Sequence, residues 1–210
     1  MRPSHRYTVL LLSVVIARTV FAQDQRPTIP DLVARGWGLS PSLACGLSPL
    51  PLFSDLLGQS DLLVVGTVGQ PHSYLSDDQR DVFTDHPLEG VRVYYETPIT
   101  EPPTTVAQPG VVPHAPIAVT ELGGTIQVSG REFTQVVEYP ARKLTPGMTG
   151  LFLLKRKGAR WWLTSQTLGA FEIEKDRLRP LVARADFARE YRNVPAGTAI
   201  QAMLDILLRR

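Results

Sequence analysis

The stretch from Asp61 to Tyr95 limits what this chain can fold into more than any other part of it. It holds two long runs rich in aliphatic and β-branched residues, separated by a polar turn, which is the pattern of paired strands. Leu62, Leu63, Val64 and Val65 are consecutive and apolar, so the first strand is expected to be covered on both faces, with an edge reaching solvent from Gly66 onward. Ser76 to Arg80 is the expected turn and Asp81 to Tyr95 the return strand, where Val91, Val93 and Tyr95 alternate with Arg92, Tyr94 and Glu96. Gly90 interrupts the pattern and predicts a bulge or bend of the kind that curves barrel strands.

The chain ahead of this stretch divides in two. Arg2, His5 and Arg6, the uncharged apolar run Tyr7 to Ile16, and Val20-Phe21-Ala22 are the three zones of an export signal, so residues 1–22 are expected to be a signal peptide cut after Ala22. The apolar run stops at Arg18, short of the roughly 20 residues a spanning helix needs, and no transmembrane anchor is expected after cleavage. The expected product is exported, to a periplasm or beyond the cell. Cleavage removes Arg2, Arg6 and Arg18 and none of the 20 acidic residues, leaving a formal charge of −1 and no general attraction to nucleic acid. Residues 23–53 are dense in proline and glycine and predict an irregular arm, with a single helical turn at Ser54 to Leu57 capped by Ser54 and ended by Gly58.

Cys45 is the sole cysteine, so no intramolecular disulfide can form. Leu43-Ala44 before it has a faint likeness to a lipid attachment site. Ser42 stands where that site needs an aliphatic residue, and a small buried thiol is the expected state. Thr97 to Pro116 carries six prolines in twenty residues and predicts a disordered excursion, or else a functional loop, rather than a central strand.

Downstream, short β segments recur. Ile117 to Thr120 is followed by a hairpin of Thr125 to Val128 and Glu132 to Tyr139 around Ser129-Gly130. Pro146-Gly147 marks a turn, and Leu151 to Leu154 and Trp161 to Leu163 predict a second hairpin joined through Lys155 to Arg160. Phe171 and Ile173, alternating with Glu172 and Glu174, predict one more strand. The total is six or seven, in a barrel domain spanning 54–180. The final segment, 181–210, is expected to be helical: Thr198 and Gln201 have capping-box spacing, Ile200, Met203, Leu204, Leu207 and Leu208 fall at helical intervals, and Phe187 with Tyr191 suggests a shorter helix before them.

Motifs that announce an enzyme locally are absent: no nucleophile elbow, no His-Glu-x-x-His, no Cys-x-x-Cys, no phosphate loop and no dinucleotide fingerprint. No cofactor is expected. The one suggestive polar cluster is His72, Asp77, Asp78, Asp81, Asp85 and His86, which the hairpin gathers at its tip. With Ser76 to Arg80 as the turn, His72 faces Asp85 across the ladder, and His72, Asp85 and His86 are the candidate metal ligands. Against that, aspartates favour turns for their own backbone bonding. Lys155, Arg156, Lys157 and Arg160 beside Trp161 and Trp162 combine charge with stacking surface, as single-strand binders do, but a charged hairpin tip with one tryptophan inside and one outside explains the same residues without a ligand and is the expected state. Glu172 and Glu174 share a strand face as a carboxylate pair would.

Ser54-Asp55-Leu56-Leu57, followed by Ser60-Asp61 and the aliphatic run to Gly66-Thr67-Val68, resembles the opening of netrin-like modules, the OB-type barrels that include tissue inhibitors of metalloproteinases. Pro146-Gly147, Leu151 to Leu154 and Gly169-Ala170-Phe171 are similar to later strands of uncharacterised exported bacterial proteins with that opening. The resemblance spans Cys45 to Ile173. It implies a mainly β, OB-like closed or partly open antiparallel barrel with a binding role, to which a C-terminal helix is added. It carries over no site residue, because the inhibitors chelate zinc through an N-terminal cysteine and Cys45 is internal. The expected function is an exported, non-enzymatic binding protein whose partner is an unknown protein or envelope ligand, with no nucleic acid. The alternatives are a metal-dependent or hydrolytic enzyme using the cluster at residues 72–86, and a structural envelope component.

Overall fold

A computed structural model describes residues 26–40, 43–44, 52–97, 116–138, 142–182 and 188–209. The expected signal peptide, Cys45, His114 with nearly all of the proline-rich loop, and Phe187 lie outside the described residues.

In chain order the elements are α1 (Ile29–Ala34), β1 (Leu43–Ala44), α2 (Phe53–Gln59), β2 (Leu62–Val68), β3 (His72–Leu75), β4 (Val82–Glu96), β5 (Ala118–Leu122), β6 (Gly124–Val128), β7 (Arg131–Gln135), β8 (Val137–Glu138), β9 (Thr149–Lys157), β10 (Arg160–Leu163), β11 (Ala170–Glu174), β12 (Arg177–Pro180) and α3 (Ala196–Leu207). Five of the strands close on themselves in the order β2-β4-β5-β10-β9 and back to β2. The fold is therefore mainly β, an OB-like closed barrel with a C-terminal helix, as expected. One seam departs from the expectation of an antiparallel barrel, since β10 runs parallel to β5.

Strand β2 has the cover that Leu62 to Val65 call for, and it stays paired between β4 and β9 through Thr67 rather than reaching solvent from Gly66 onward. Leu62, Val64 and Val68 point into the barrel with Leu88, Val119, Phe152 and Leu154. Leu63, on the other face, packs under α2 and α3 with Leu151, Leu153 and Phe171. Each fully buried aliphatic side chain contributes about 1.5–3 kcal/mol, so two covered faces make β2 a strong anchor.

The return strand is β4, fifteen residues long. Gly90 has φ +59° and, with Val91, sits opposite the single residue Gly66, so the expected bulge is present. A second shift sets Tyr94 outside the pairing between Leu63–Tyr95 and Val64–Val93. Two extra residues destroy the alternation expected for Val91 to Glu96: Val93 is exposed, while Tyr94 and Tyr95 both pack against the outer cluster. The clean period of two lies instead at Val82 to Leu88.

Several ends differ from the sequence reading because burial sets them. Helix α2 starts at Phe53 without a side-chain cap and runs through Gly58, driven by Phe53, Leu56 and Leu57 entering the outer cluster. The arm is not irregular throughout: α1 forms behind Thr28, whose hydroxyl accepts from the Asp31 N–H, and buries Ile29 and Val33 against Val82, Val128 and Phe133. Helix α3 begins at Ala196, two residues ahead of the expected Thr198 cap, and buries Ala199, Ile200, Met203 and Leu207, while Leu208 is exposed. Strand β9 continues to Lys157, so its hairpin with β10 turns at Gly158-Ala159 rather than over the whole of Lys155 to Arg160. Strand β12 was not expected; Lys175 and Asp176, both with positive φ, turn the chain from β11 into it. The β6–β7 hairpin around Ser129-Gly130 is as expected, with φ +52° and +76° at those positions. Among the described residues no helix is long and apolar enough to cross a membrane.

The β2–β9–β11 seam is tight at Gly150, where an added Cβ would lie 2.6 Å from the Phe152 ring and 2.9 Å from the Phe171 carbonyl. Gly150→Ala is expected to lose about 1–3 kcal/mol of unfolding free energy by overpacking. Gly197→Ala, at an open position of α3, is expected to lose none. Denaturant unfolding of the two variants checks the contrast.

Candidate functional site

The tip between β3 and β4 is built by its own turn chemistry. Ser76 donates its hydroxyl to Asp78 (2.6 Å) and accepts the backbone N–H groups of Arg80 and Asp81. The Ser76 hydroxyl and the Arg80 N–H hold the Asp78 carboxyl below the usual carboxylate range. Asp77 is exposed, and Asp81 accepts from Gln135 across the hairpins. These aspartates secure a turn, in line with their ordinary preference.

The ladder then separates the three candidate ligands. His72 pairs with Asp85, as expected from the turn position. Successive strand residues point to opposite faces, so His86 cannot join them. Asp85 faces outward and accepts from Tyr74 Oη (3.1 Å) and Thr120 Oγ1 (2.7 Å). His86 faces inward, 5 % exposed, with Nε2 3.1 Å from Glu121 Oε2. Among the described residues no three His, Cys, Asp or Glu side chains converge.

The outward face is a row of rings and cations. His72 stacks on Tyr74, Tyr74 meets Phe83 at a tilt, and Phe83 meets the Trp162 ring edge-on at 5.3 Å. Arg160 lies over both Tyr74 (5.4 Å) and Phe83 (5.2 Å), and Lys157 over Trp162 (5.4 Å). As the sequence suggested, the two tryptophans divide: Trp161 packs against the barrel interior and Trp162 joins the outer row. The basic cluster divides too. Lys155 pairs with Asp61 at 3.0 Å, and Arg156 approaches Glu96 at 3.6 Å while stacking on Trp161. Only Lys157 and Arg160 of the four serve the outer row. Glu172 and Glu174 are both held by arginines, Arg142 and Arg179 respectively, rather than paired with each other.

The inward face opens on a cavity of about 270 Å³ at the barrel mouth, bounded by Ser73, Thr84, His86, Glu121, Lys143 and Leu144 among others. Sequence reasoning missed Glu121, Tyr74, Phe83 and Thr120. Strand parity alone would have parted Asp85 from His86, but Glu121 lies across a long loop and has no local signal. Comparison with protein-family models, curated proteins and solved structures finds no match.

Burial, then the Asp85 charge and hydrogen bond, push the Tyr74 hydroxyl above an ordinary tyrosine's pKa, with Arg160 opposing. A raised folded value means that Tyr74 contributes stability fully below its unfolded pKa and loses it as pH climbs through the folded one. Ultraviolet titration, with Tyr74→Phe as the difference reference, should show the Tyr74 midpoint falling in Asp85→Asn and rising in Arg160→Ala.

Proposed function

We propose that this chain is an exported, non-enzymatic binding protein that holds a protein or envelope ligand on the outer rim formed by β3, β4 and the β9–β10 hairpin. The observation that carries the reading is the row Tyr74, Phe83 and Trp162 with Arg160 and Lys157 laid over it. Rigid aromatic groups with adjacent cations are the side chains that dominate binding energy at interfaces, because they offer large area at small entropic cost. Asp85, fixed by Tyr74 and Thr120, sets a directional acceptor beside the rings. In OB-type barrels the second and third strands and the loop joining the last two form the usual ligand face. Here those are β4, β5 and the Gly158-Ala159 turn. Export rests on the three-zone N-terminus. The netrin-like relation belongs to the same proposal: five-strand closure supports it without separating it from other OB-type barrels.

The test is affinity capture from the native envelope with the full chain as bait, comparing wild type with Trp162→Ala and Arg160→Ala. Losing a central aromatic or arginine anchor costs about 2 kcal/mol, roughly thirty-fold in affinity. A partner retained by wild type should therefore be lost from both variants and kept by Lys175→Ala, which alters a remote turn. Equal retention by all four proteins, or an empty capture with wild type, overturns the reading.

A further inference from the structure

The inward face of β4 is a separate matter from the outer rim, and its hydrogen-bond accounting points to a ligand. Thr84 donates its hydroxyl to the Gly123 carbonyl at 2.6 Å, so in the 2.8 Å contact between Ser73 and Thr84 the proton must come from Ser73. Ser73 Oγ is then left with lone pairs and no proton to offer. Glu121 spends Oε2 on His86 Nε2, and its Oε1 has no hydrogen-bond partner among the described residues. His86 Nδ1, on the far side of the ring from the carboxylate, is buried without a partner. Ser73, Thr84 and Glu121 together present acceptor oxygens and no spare donor.

The wall is built for close approach. Gly124 has φ +136°, and a Cβ there would lie 2.2 Å from Thr84 Oγ1 and 2.6 Å from Ser73 Oγ. Only glycine lets the Ser73–Thr84 pair form at this edge of the cavity. At the rim the charge reverses. Arg142 is held by Glu172, whereas Lys143 is exposed and makes no ion pair among the described residues. Val137 and Leu144 supply an apolar side to the same space. Its volume, about 270 Å³, lies just under the range of roughly 300–1,000 Å³ occupied by drug-sized ligands.

We propose that the barrel mouth binds a small zwitterion, a free amino acid with an aliphatic side chain. Its ammonium donates to Glu121 and Ser73, its carboxylate turns toward Lys143, and its side chain lies on Val137 and Leu144. An ammonium is the group that matches an anionic, acceptor-rich wall, because it brings three donors and the opposite charge. The inference rests on neither export nor the outer rim, since the two sites lie on opposite faces of β4.

Calorimetric titration of the full chain with L-valine and L-leucine tests it, with isopentylamine and 4-methylpentanoate as half-ligands. Saturable one-site binding of an amino acid is expected, with the amine retaining more of the affinity than the acid. Glu121→Gln should weaken binding at least tenfold. Lys143→Ala, a change at an exposed position that leaves the wall intact, should weaken the amino acids and leave isopentylamine unchanged. No saturable binding to wild type overturns the proposal, as does an acid that binds as well as the amine. Equal effects of Lys143→Ala on amino acid and amine would overturn it even if Glu121→Gln failed to fold.

Discussion

The parallel seam between β5 and β10 is the contact on which the rest of the molecule depends. It is short, with Trp161 beside Val119 and Trp162 beside Thr120. Without it β5 and β10 would each present an open edge, and the sheet would be a curled ribbon with its apolar interior exposed along one side. A parallel pair cannot be made by a hairpin, so the chain has to leave β5, build β6 to β9 elsewhere and return. The bulky tryptophans at this seam serve both sides of it. Trp161 fills the barrel interior and Trp162 extends the outer ring row, so closing the barrel and forming the rim are one event.

Strand β4 distributes the consequences. Its first half pairs with β3 and β5 and its second half with β2, the change of partner falling between Pro87 and Leu88, two residues ahead of the bulge at Gly90. Before the bulge, parity is strict: Phe83 and Asp85 go outward and Thr84 and His86 inward. One seven-residue stretch thus contributes to both, Phe83 to the ring row and Thr84 and His86 to the polar wall of the cavity. Each depends on the register of the other, because a one-residue slip would exchange the two faces.

The legible parts of the fold were those with local causes. The covered run Leu62 to Val65, the Gly90 bulge, the Ser129-Gly130 turn and the His72–Asp85 pairing all follow from chemistry contained within a few residues. What escaped was non-local. Helix α2 passes through Gly58 because Leu56 and Leu57 are wholly buried against distant strands, which outweighs a glycine penalty of about 1 kcal/mol. Strand β12 is four residues with two arginines and a terminal proline, a composition that says nothing of the buried Leu178 at its centre. The inner site escaped for the same reason: His86 was visible, but its partner Glu121 is brought to it only by the β4–β5 ladder. Grouping His86 with His72 and Asp85 weighed proximity along the chain over the alternation of strand faces.

Apolar cover is distributed unevenly around the barrel, and that distribution selects where chemistry can be displayed. Helices α2 and α3 share a cluster with β2, β9, β11, β12 and the far end of β4, and no member of it comes from β5 or β10. Covering the β2–β9 side with helices commits that surface to stability, since those side chains must stay apolar and closely fitted. The β4–β5–β10 side carries no such obligation and can hold charges, hydroxyls and half-exposed rings at little cost to the core. Thr120 and Asp85 stand where an aliphatic pair would otherwise be expected on a covered face, and Arg160 and Lys157 lie over rings rather than in bulk solvent. A polar, ring-lined surface on a strand pair whose opposite face ends in the His86–Glu121 pair is therefore the part of the barrel free of the core's packing demands, while the helix-covered side maintains the frame that positions it.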